Sequence, residues 1–303
     1  MQKKKVLLKH KLEYILFKTY IFKVKILPRF FFNIDRLFIL FLFKILSQRH
    51  SNIVEKNIKI VFPSYNENQI MDFKKKVYSH FSKIFLEIIY LFVKKDVKQI
   101  INKVKISGLE KISEVLLKDK GLIIFSAHFG NWELIPFLLN KSLNKTIFSI
   151  ARKMDNPLIE EKIVAKFREF MGSKIIYKDK SIRTILKLLN DNEIIFLLID
   201  QNTILREGAI VNFFNKKVSA VTSVAQIHLK RDIPVLPAFV HYEKDKILFN
   251  IQDKIIFNKS NDHKRDVQDL TQRYTDIIET NIRKNPIQWF WFHDRWKDNY
   301  GEK

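Results

Sequence analysis

The spacing of apolar residues changes near residue 107, and the two parts of the chain predict different elements. After that point, short apolar runs alternate with stretches of helical periodicity. The runs predict strands at residues 121–127, 146–150, 174–177, 194–200, 233–240 and 247–256. The periodic stretches predict helices at residues 157–171, 181–190, 219–230 and 264–284, with a longer one at 66–93. Strands separated by such helices predict an α/β fold with a mostly parallel sheet flanked by helices on both faces.

The first 46 residues interleave apolar and basic side chains. Eleven Lys and Arg against two acidic residues give this segment a net charge of +9, and it also holds ten Phe and Tyr. Lys11, Lys18 and Lys25 recur at intervals of seven within an apolar run, which places a basic stripe along an apolar helix. This pattern is typical of a helix that lies in the headgroup layer of a membrane.

A membrane-spanning helix is not predicted in this segment. Its most apolar window, residues 30–46, is interrupted by Asp35, Arg36 and Lys44. The longest unbroken apolar run, residues 37–43, is too short to cross a hydrocarbon core of about 30 Å. We therefore expect an embedded or in-plane anchor; the alternative is an ordinary pair of buried helices in a soluble core. No small-residue cleavage site follows the run, so a cleaved signal peptide is not expected.

These patterns divide the chain into two parts. Residues 1–46 are predicted to be a basic, apolar and helical membrane-associating extension. Residues 47–303 are predicted to form one domain, because neither a repeat nor a linker divides them. With 47% hydrophobic residues in 303, the chain can bury a substantial core.

The net charge of +23 predicts a polyanionic neighbour: nucleic acid, an anionic membrane surface or an acidic protein. Segments that bind nucleic acid are rarely as apolar as residues 1–46, which favours the membrane. A basic nucleic-acid-binding protein remains the alternative from a different class, although no zinc, RNP or helix-turn-helix signature supports it.

Several absent motifs exclude whole classes of chemistry. The chain has no cysteine, which excludes thiol nucleophiles, disulfides and Cys-type zinc sites. It also lacks the serine-hydrolase elbow, the phosphate-binding P-loop, the Rossmann glycine fingerprint and the HExxH zinc motif. Its eight histidines form no close pairs in the sequence, so we expect neither a metal site nor a cofactor.

The strongest chemical signal is the segment from Ser126 to Glu133, Ser-Ala-His-Phe-Gly-Asn-Trp-Glu, directly after a predicted buried strand. On an ideal helix, His128 and Glu133 would lie about 140° apart, so a turn must bring them together. If Asn131 caps a helix whose first turn holds Glu133, that carboxylate can reach an imidazole nitrogen. His128 would then be a general base that needs no covalent nucleophile; the alternative is a structural histidine at a strand end.

The pattern His128-x-x-x-x-Glu133 resembles the catalytic motif of bacterial lipid A biosynthesis acyltransferases, the late lauroyl or myristoyl acyltransferases of lipopolysaccharide assembly. Other blocks between about residue 30 and residue 298 are similar to those of the same family and follow the same order. They are Arg49 to Val54 with Asn57 and Phe62-Pro63; Ala151-Arg152, Asn156-Pro157, Arg168 and Gly172; Asp200-Gln201; Phe213-Phe214 before a small-residue helix; and Pro286 with Trp289 to Lys297. The resemblance implies a glycerolipid-acyltransferase-like fold.

The resemblance also implies a reaction. His128 would remove a proton from an acceptor hydroxyl, which attacks the thioester of an acyl-acyl carrier protein, while Glu133 holds the imidazole; no acyl-enzyme forms. The acceptor would be a hydroxyl on a primary acyl chain of a Kdo-bearing lipid A precursor, at the cytoplasmic face of the cell inner membrane. The partners would be the acidic carrier protein, the lipid acceptor and an anionic membrane surface, and not nucleic acid. Another glycolipid or phospholipid acceptor, and a hydrolase that uses water, remain alternatives.

Further residues are assigned to substrate binding through the same resemblance. Arg152 matches a motif arginine, and a guanidinium suits the phosphate of a phosphorylated sugar. The alternative for Arg152 is a surface ion pair with Asp155 or Glu160. Asp200 and Gln201, at the end of a strand, could line the sugar or carrier site; a structural cap is the alternative.

The remaining two assignments lie in the first and last blocks of aromatic residues. Asn131 belongs to the block around His128. Arg295 and Lys297 lie among three of the chain's four tryptophans, between Trp289 and Trp296. An amphipathic ring cluster beside these cations suits a membrane interface near the acceptor headgroup. The alternative is that the tryptophans pack a C-terminal segment onto the domain.

Overall fold

The computed structural model describes residues 6–46, 48–117, 120–177 and 181–297. Its N-terminal part is helical, with α1 (Leu8–Ile26), α2 (Phe32–Leu46), α3 (Gln48–Val61), α4 (Glu67–Lys94) and α5 (Val97–Ile101). The predicted long helix at 66–93 is therefore confirmed as α4. Residue 47, at the predicted boundary between extension and domain, lies outside the described residues, and that division stays a prediction.

Both α1 and α2 pack against α4. Val24 of α1 and Ile39 of α2 join a buried cluster on that helix. Asp35, one of the charges that interrupt the apolar window, is buried and accepts hydrogen bonds from Lys23 (2.5 Å) and from the hydroxyl of Tyr90 on α4 (2.9 Å). Of the helices in the described ranges, none has the length and apolar character that a membrane span requires.

The rest of the chain alternates strands and helices. The strands are β1 (Val104–Ser107), β2 (Leu122–Ser126), β3 (Ile147–Ala151), β4 (Ser173–Tyr177), β5 (Ile194–Leu198), β6 (Gly208–Phe213), β7 (Lys216–Val221), β8 (Val235–Glu243) and β9 (Lys246–Ile251). The helices are α6 (Leu109–Leu116), α7 (Leu134–Leu143), α8 (Pro157–Ile159), α9 (Ala165–Phe170), α10 (Ser181–Asn190), α11 (Ser223–Arg231) and α12 (His263–Lys284). All six predicted strands are present, each within a few residues of its predicted bounds.

A seven-stranded sheet forms the centre of the domain, in the order β1-β9-β8-β2-β5-β3-β4. Its neighbouring strands are parallel except for β8 and β9, which pair antiparallel. Side chains of β2 alternate between two hydrophobic layers: Ile123 and Phe125 face one, while Leu122 and Ile124 face the other. This confirms the predicted mostly parallel sheet with helices on both faces.

One helix prediction is wrong at its start. The helix predicted from residue 219 begins only at Ser223, because Lys216–Val221 is a strand that pairs along its whole length with Gly208–Phe213. The two residues of the connecting turn, Phe214 and Asn215, have φ of 50° and 60°, as the tight turns of β-hairpins require. This pairing with another segment overrides the local apolar spacing that indicated a helix.

The helix predicted at 157–171 is present but not uniform. Between α8 and α9, the turn Glu160–Val164 is π-helical. The side chain of Glu160 is turned inward there and is buried. Gly172, with φ of +74°, follows directly after the helix, as its position in the sequence predicted.

Candidate active site

Two neighbouring strands bring a histidine and an aspartate together at the carboxyl edge of the sheet. β2 and β5 are parallel neighbours, with Ser126 opposite Leu198. His128 follows its strand end by two residues and Asp200 follows its own by two. Because the two strand ends are register partners and both residues lie two positions beyond them, the two side chains are side by side. They lie at the edge where parallel sheets carry their functional loops.

Asp200 holds His128 through both its backbone and its ring. The Oδ1 atom lies 2.7 Å from His128 Nδ1, and Oδ2 accepts the backbone N–H of His128 at 3.1 Å. The indole N–H of Trp289 donates to Oδ2 at 2.9 Å. Burial raises the pKa of Asp200, but the His128 ring and these three donors lower it further, so the net pKa is below the usual range and the carboxyl is ionised. An ionised Asp200 keeps the proton on Nδ1 and leaves the lone pair on Nε2.

The Nε2 side of His128 faces a polar amide and an aromatic wall. The side-chain amide of Gln201 lies 3.4 Å from Nε2. The rings of Trp132 and Phe290 lie 5.1 and 6.0 Å from the imidazole, centroid to centroid. The His128 side chain is 21% exposed, so it is accessible to a substrate hydroxyl. This arrangement is suited to removing a proton from a hydroxyl beside an apolar surface.

The backbone of the His128 loop is paired with the C-terminal segment. Phe290 donates its N–H to the carbonyl of His128, and Gly130 donates its N–H to the carbonyl of Gln288, both at 2.8 Å. Gly130 has φ of +56°, and a Cβ at this position would lie 1.8 Å from the carbonyl oxygen of Val240. Only glycine can adopt this backbone shape so close to β8.

Glu133 does not contact His128, and the predicted hydrogen bond between them is wrong. Its carboxylate pairs with Arg168 of α9, 3.4 Å from Nη2. Burial lowers the pKa of Arg168, but Glu133 and Glu160 outweigh that effect, and the net pKa is raised. Glu133 and Arg168 together line a small, mostly apolar cleft beside Trp132. The reason for the difference is that α7 begins only at Leu134, which directs Glu133 away from the imidazole.

Asn131 does not cap α7 through its side chain, contrary to the prediction. Its backbone carbonyl accepts the N–H of Leu134, while its side-chain amide donates to the hydroxyl of Tyr242 at 3.1 Å. That hydroxyl in turn donates to Glu87 of α4. The buried side chain of Asn131 therefore faces the protein interior, not solvent.

The C-terminal tryptophans and Arg295 lie inside the domain, so their predicted place at a membrane interface is wrong. Trp289, Trp291 and Trp296 are at most 3% exposed, and Arg295 is 2% exposed. The guanidinium of Arg295 donates to the carbonyl of Ser219 at 2.6 Å. Burial lowers the pKa of Arg295 to about 10, although the nearby Asp200 carboxylate partly opposes this. The alternative interpretation, a packed C-terminal segment, is the one that the structure supports.

Polar anchors explain why this segment turns inward. The side-chain amide of Asn57 on α3 donates to the carbonyls of Trp291 (2.9 Å) and His293 (2.8 Å). The ring of His293 accepts the backbone N–H of Asn202 at 3.2 Å. Burial lowers the pKa of His293 to about 4, which keeps the ring neutral and able to accept. These contacts attach the segment to the loop that carries Asp200.

Arg152 lies at the same edge of the sheet, directly after β3, and its side chain is exposed. Glu160, one of the two ion-pair partners considered for it, instead accepts hydrogen bonds from the hydroxyl of Tyr177 (3.0 Å) and the backbone N–H of Met154 (2.9 Å). Of the predicted site residues, the structure thus brings His128, Asp200 and Gln201 into direct contact. Arg152 is exposed at the edge, and Arg295 is buried and interacts with the charge of Asp200.

The sequence alone missed two features of this centre. Asp200 was assigned to substrate and not to His128, and Trp289 was not recognised as a donor to Asp200. A partial signal for the first was available: His128 directly follows one predicted strand and Asp200 ends another, so the two residues lie near each other if those strands are neighbours. Across the described ranges, no group of three or more potential ligands is arranged to hold a metal ion.

A comparison with known protein families gives a match over nearly the whole chain. Residues 1–298 match the family described as bacterial lipid A biosynthesis acyltransferase. A search of curated protein sequences found no match. The family match covers nearly the whole chain, including the His128 loop, Asp200 and the C-terminal segment.

Proposed function

Because the chain belongs to the bacterial lipid A biosynthesis acyltransferase family, we propose that it transfers a fatty acyl chain from acyl-acyl carrier protein to a Kdo-bearing lipid A precursor. The family makes the chain an acyltransferase of lipopolysaccharide biosynthesis that uses an acyl donor and a lipid acceptor. The proposal adds the identity of both substrates: the thioester of the carrier protein and a hydroxyl on a primary acyl chain of the precursor. The observation that supports it is the contact of His128 Nδ1 with Asp200, which leaves the lone pair of Nε2, beside the Gln201 amide, to accept a proton.

The proposed chemistry is one direct displacement. Nε2 of His128 takes the proton of the acceptor hydroxyl while the hydroxyl oxygen bonds to the thioester carbon. The carbon–sulfur bond then breaks, and the imidazolium returns its proton to the departing thiolate of the carrier. Asp200 stabilises the imidazolium and keeps the ring in one tautomer. A thioester is reactive enough for this attack, so no acyl-enzyme is required.

We propose that Glu133 acts through Arg168 and not on the imidazole. The pair lines the cleft next to Trp132, so it lies beside the same loop as His128. A carboxylate that fixes a guanidinium shapes a binding cleft and sets its charge. Glu133 is therefore a positioning residue in this mechanism.

We assign substrate contacts to the predicted site residues whose side chains are accessible, and supporting roles to those that are buried. Arg152 is exposed at the edge of the sheet that carries His128, where a guanidinium can bind a phosphate of the acceptor. Gln201, next to Nε2, is placed to bind the acceptor hydroxyl or the thioester oxygen. Arg295 is too deeply buried to meet a headgroup, and we assign it to the support of Asp200. Asn131 likewise acts on the loop and not on the substrate.

We further propose that α1 and α2 lie on the cytoplasmic face of the inner membrane. Most apolar residues that are exposed on α1 follow one helical face, and Leu16 lies on the flank of that face opposite the lysines. The residues of the face are Leu8, Leu12, Ile15, Phe22 and Ile26. Lys11, Lys18 and Lys25 are exposed along one flank of that face, about 80° away. The exposed side of α2 continues the apolar surface with Ile34, Leu37 and Phe41. An apolar stripe bordered by lysines suits an anionic lipid surface.

The net charge of +23 supports the same partners. The acyl carrier protein is acidic, and the acceptor phosphates and bilayer are anionic. Attraction between these charges would speed encounter at low salt and would be screened above about 0.15 M. Nucleic acid is not among the proposed partners.

Mass spectrometry of lipid A tests the function. In a host that lacks its own late acyltransferases, expression of the chain is expected to add one acyl chain to lipid A, and the mass gain gives the chain length. Purified protein with acyl-acyl carrier protein and precursor should give the same product. If the protein is present in the membrane and no mass is gained, the proposed donor or acceptor is wrong. Faster release of free fatty acid than transfer would favour the hydrolase alternative.

Vesicle binding tests the membrane surface. The double variant Leu12→Glu, Phe22→Glu should bind phosphatidylglycerol vesicles at least about tenfold more weakly than wild type, because each side chain contributes roughly 1.5–3 kcal/mol when buried. Leu117→Glu with Ile256→Glu is the matched control, since it places the same charges on exposed apolar residues elsewhere. Equal vesicle binding by the two double variants in a sedimentation assay would contradict the proposal.

A further inference from the structure

Tyr242 connects the His128 loop to α4. It lies near the carboxyl end of β8, the strand next to β2. Its hydroxyl accepts a hydrogen bond from the side-chain amide of Asn131 at 3.1 Å and donates one to Glu87. Burial and the Glu87 carboxylate raise the pKa of Tyr242 well above its usual value, so the hydroxyl keeps the proton that it donates. The side chain thus bridges two elements that are otherwise held together by apolar contacts.

A second route connects the same tyrosine to the same loop. The side chain of Gln288 brackets the main chain of Tyr242: Oε1 accepts its N–H and Nε2 donates to its carbonyl, both at 2.8 Å. The main-chain carbonyl of Gln288 accepts the N–H of Gly130 at 2.8 Å. Gly130 and Asn131, the second and third residues after His128, are therefore both attached to Tyr242, by independent hydrogen bonds.

The far end of this network rests on a rigid helix. α4 spans Glu67–Lys94 and begins with a capping box between Asn66 and Gln69. Its Phe81 contacts Trp132 and Phe290, the two rings that border the imidazole. One helix therefore supports the His128 loop through both apolar and polar contacts.

We propose that Tyr242 is a positioning residue, whose hydroxyl holds the His128 loop in the geometry for proton removal through Asn131 and Glu87. The inference rests on the proposed role of His128 as the base. A buried network of this kind contributes little net stability compared with apolar packing, but it fixes one arrangement of the groups that it joins. Its effect is therefore expected in turnover more than in folding.

Tyr242→Phe tests the hydroxyl alone. It removes one oxygen and keeps the ring. We expect kcat to fall at least about tenfold with little change in either KM, because displacement of a general base by a fraction of an ångström slows the reaction without weakening binding. Amide hydrogen exchange of residues 128–134 should accelerate in the same variant, since the loop loses one of its two attachments to Tyr242.

Tyr274→Phe is the matched control. Tyr274 is buried, and its hydroxyl contacts Nδ1 of His228, on helices away from the loop. Its loss should lower the melting temperature by a similar amount and leave both kcat and the exchange of residues 128–134 unchanged. Glu87→Gln should keep kcat and the exchange of residues 128–134 near wild type, because its amide oxygen can still accept a hydrogen bond from Tyr242. Glu87→Leu cannot accept this bond and should behave like Tyr242→Phe.

The outcomes separate this inference from the proposed function. Unchanged exchange at residues 128–134 in Tyr242→Phe would overturn the positioning role, and so would faster exchange with unchanged kcat. Equal effects of Tyr242→Phe and Tyr274→Phe on kcat would show a merely structural role. If His128→Ala kept full activity, the proposed function would fail instead, while the exchange result would still report on the loop.

Discussion

Replacing His128 with alanine is expected to lower the rate of acyl transfer by about a thousandfold, the middle of the range for loss of a general base. Nε2 of His128 lies beside Gln201, and its ring contacts Trp132 and Phe290, where the acceptor hydroxyl is proposed to bind. Without Nε2, the acceptor hydroxyl must lose its proton to water. The measurement is single-turnover transfer from acyl-acyl carrier protein to the lipid precursor, followed by mass spectrometry, together with the melting temperature.

His263→Ala is the control for this prediction. His263 is the exposed first residue of α12, so its replacement removes an imidazole without touching the sheet edge. It should transfer acyl chains at the wild-type rate. If His128→Ala folds normally and retains more than about a tenth of the wild-type rate, the proposed base is wrong.

The regular part of the fold was predictable because its signal is local. A buried strand such as Leu122–Ser126 is an uninterrupted apolar run, and a helix such as Ser181–Asn190 repeats its apolar positions every turn. Two kinds of strand gave no such signal. β1 has only four residues and alternates polar with apolar, and β6 and β7 depend on their hairpin pairing.

The candidate site was predictable as a list of residues but not as a set of contacts. His128, Asp200 and Gln201 were identified because they match family blocks and lie at the ends of predicted strands. Their pairing was missed because β3 and β4 lie between β2 and β5 in the sequence, and spacing does not show which strands become neighbours. Glu133 was chosen as the partner of His128 because it is close in sequence, whereas the sheet brings a carboxylate from 72 positions away.

The C-terminal tryptophans show a second limit of sequence reasoning. Their composition fits a membrane interface and a buried core equally well, since an indole combines an apolar ring with one polar N–H. An indole can be buried only where the fold provides a hydrogen-bond acceptor for its N–H. Asp200 accepts from Trp289, and the carbonyl of Pro286 accepts from Trp291. These acceptors are brought into place by the fold and cannot be predicted from the local sequence.

Asp200→Asn should separate the roles of the two carboxylates. We expect kcat to fall about a thousandfold, because an asparagine amide can donate to Nδ1 and so favours the tautomer that lacks a lone pair on Nε2. Loss of the negative charge also removes the stabilisation of the imidazolium that forms during transfer. Glu133→Gln leaves the contact of His128 with Asp200 intact and should reduce kcat by no more than about tenfold.

A double-mutant cycle distinguishes the roles of Asp200 and Glu133 whatever the rate loss of each single variant. The proposed catalytic effect of Asp200 passes through the imidazole, so Asp200→Asn should cause little further loss of transfer in a His128→Ala background. Glu133 acts through Arg168, so Glu133→Gln should reduce the residual rate of His128→Ala by the same factor as in wild type. The opposite pattern, with Glu133 coupled to His128 and Asp200 additive, would mean that the carboxylate next in sequence is the true partner of the base during turnover.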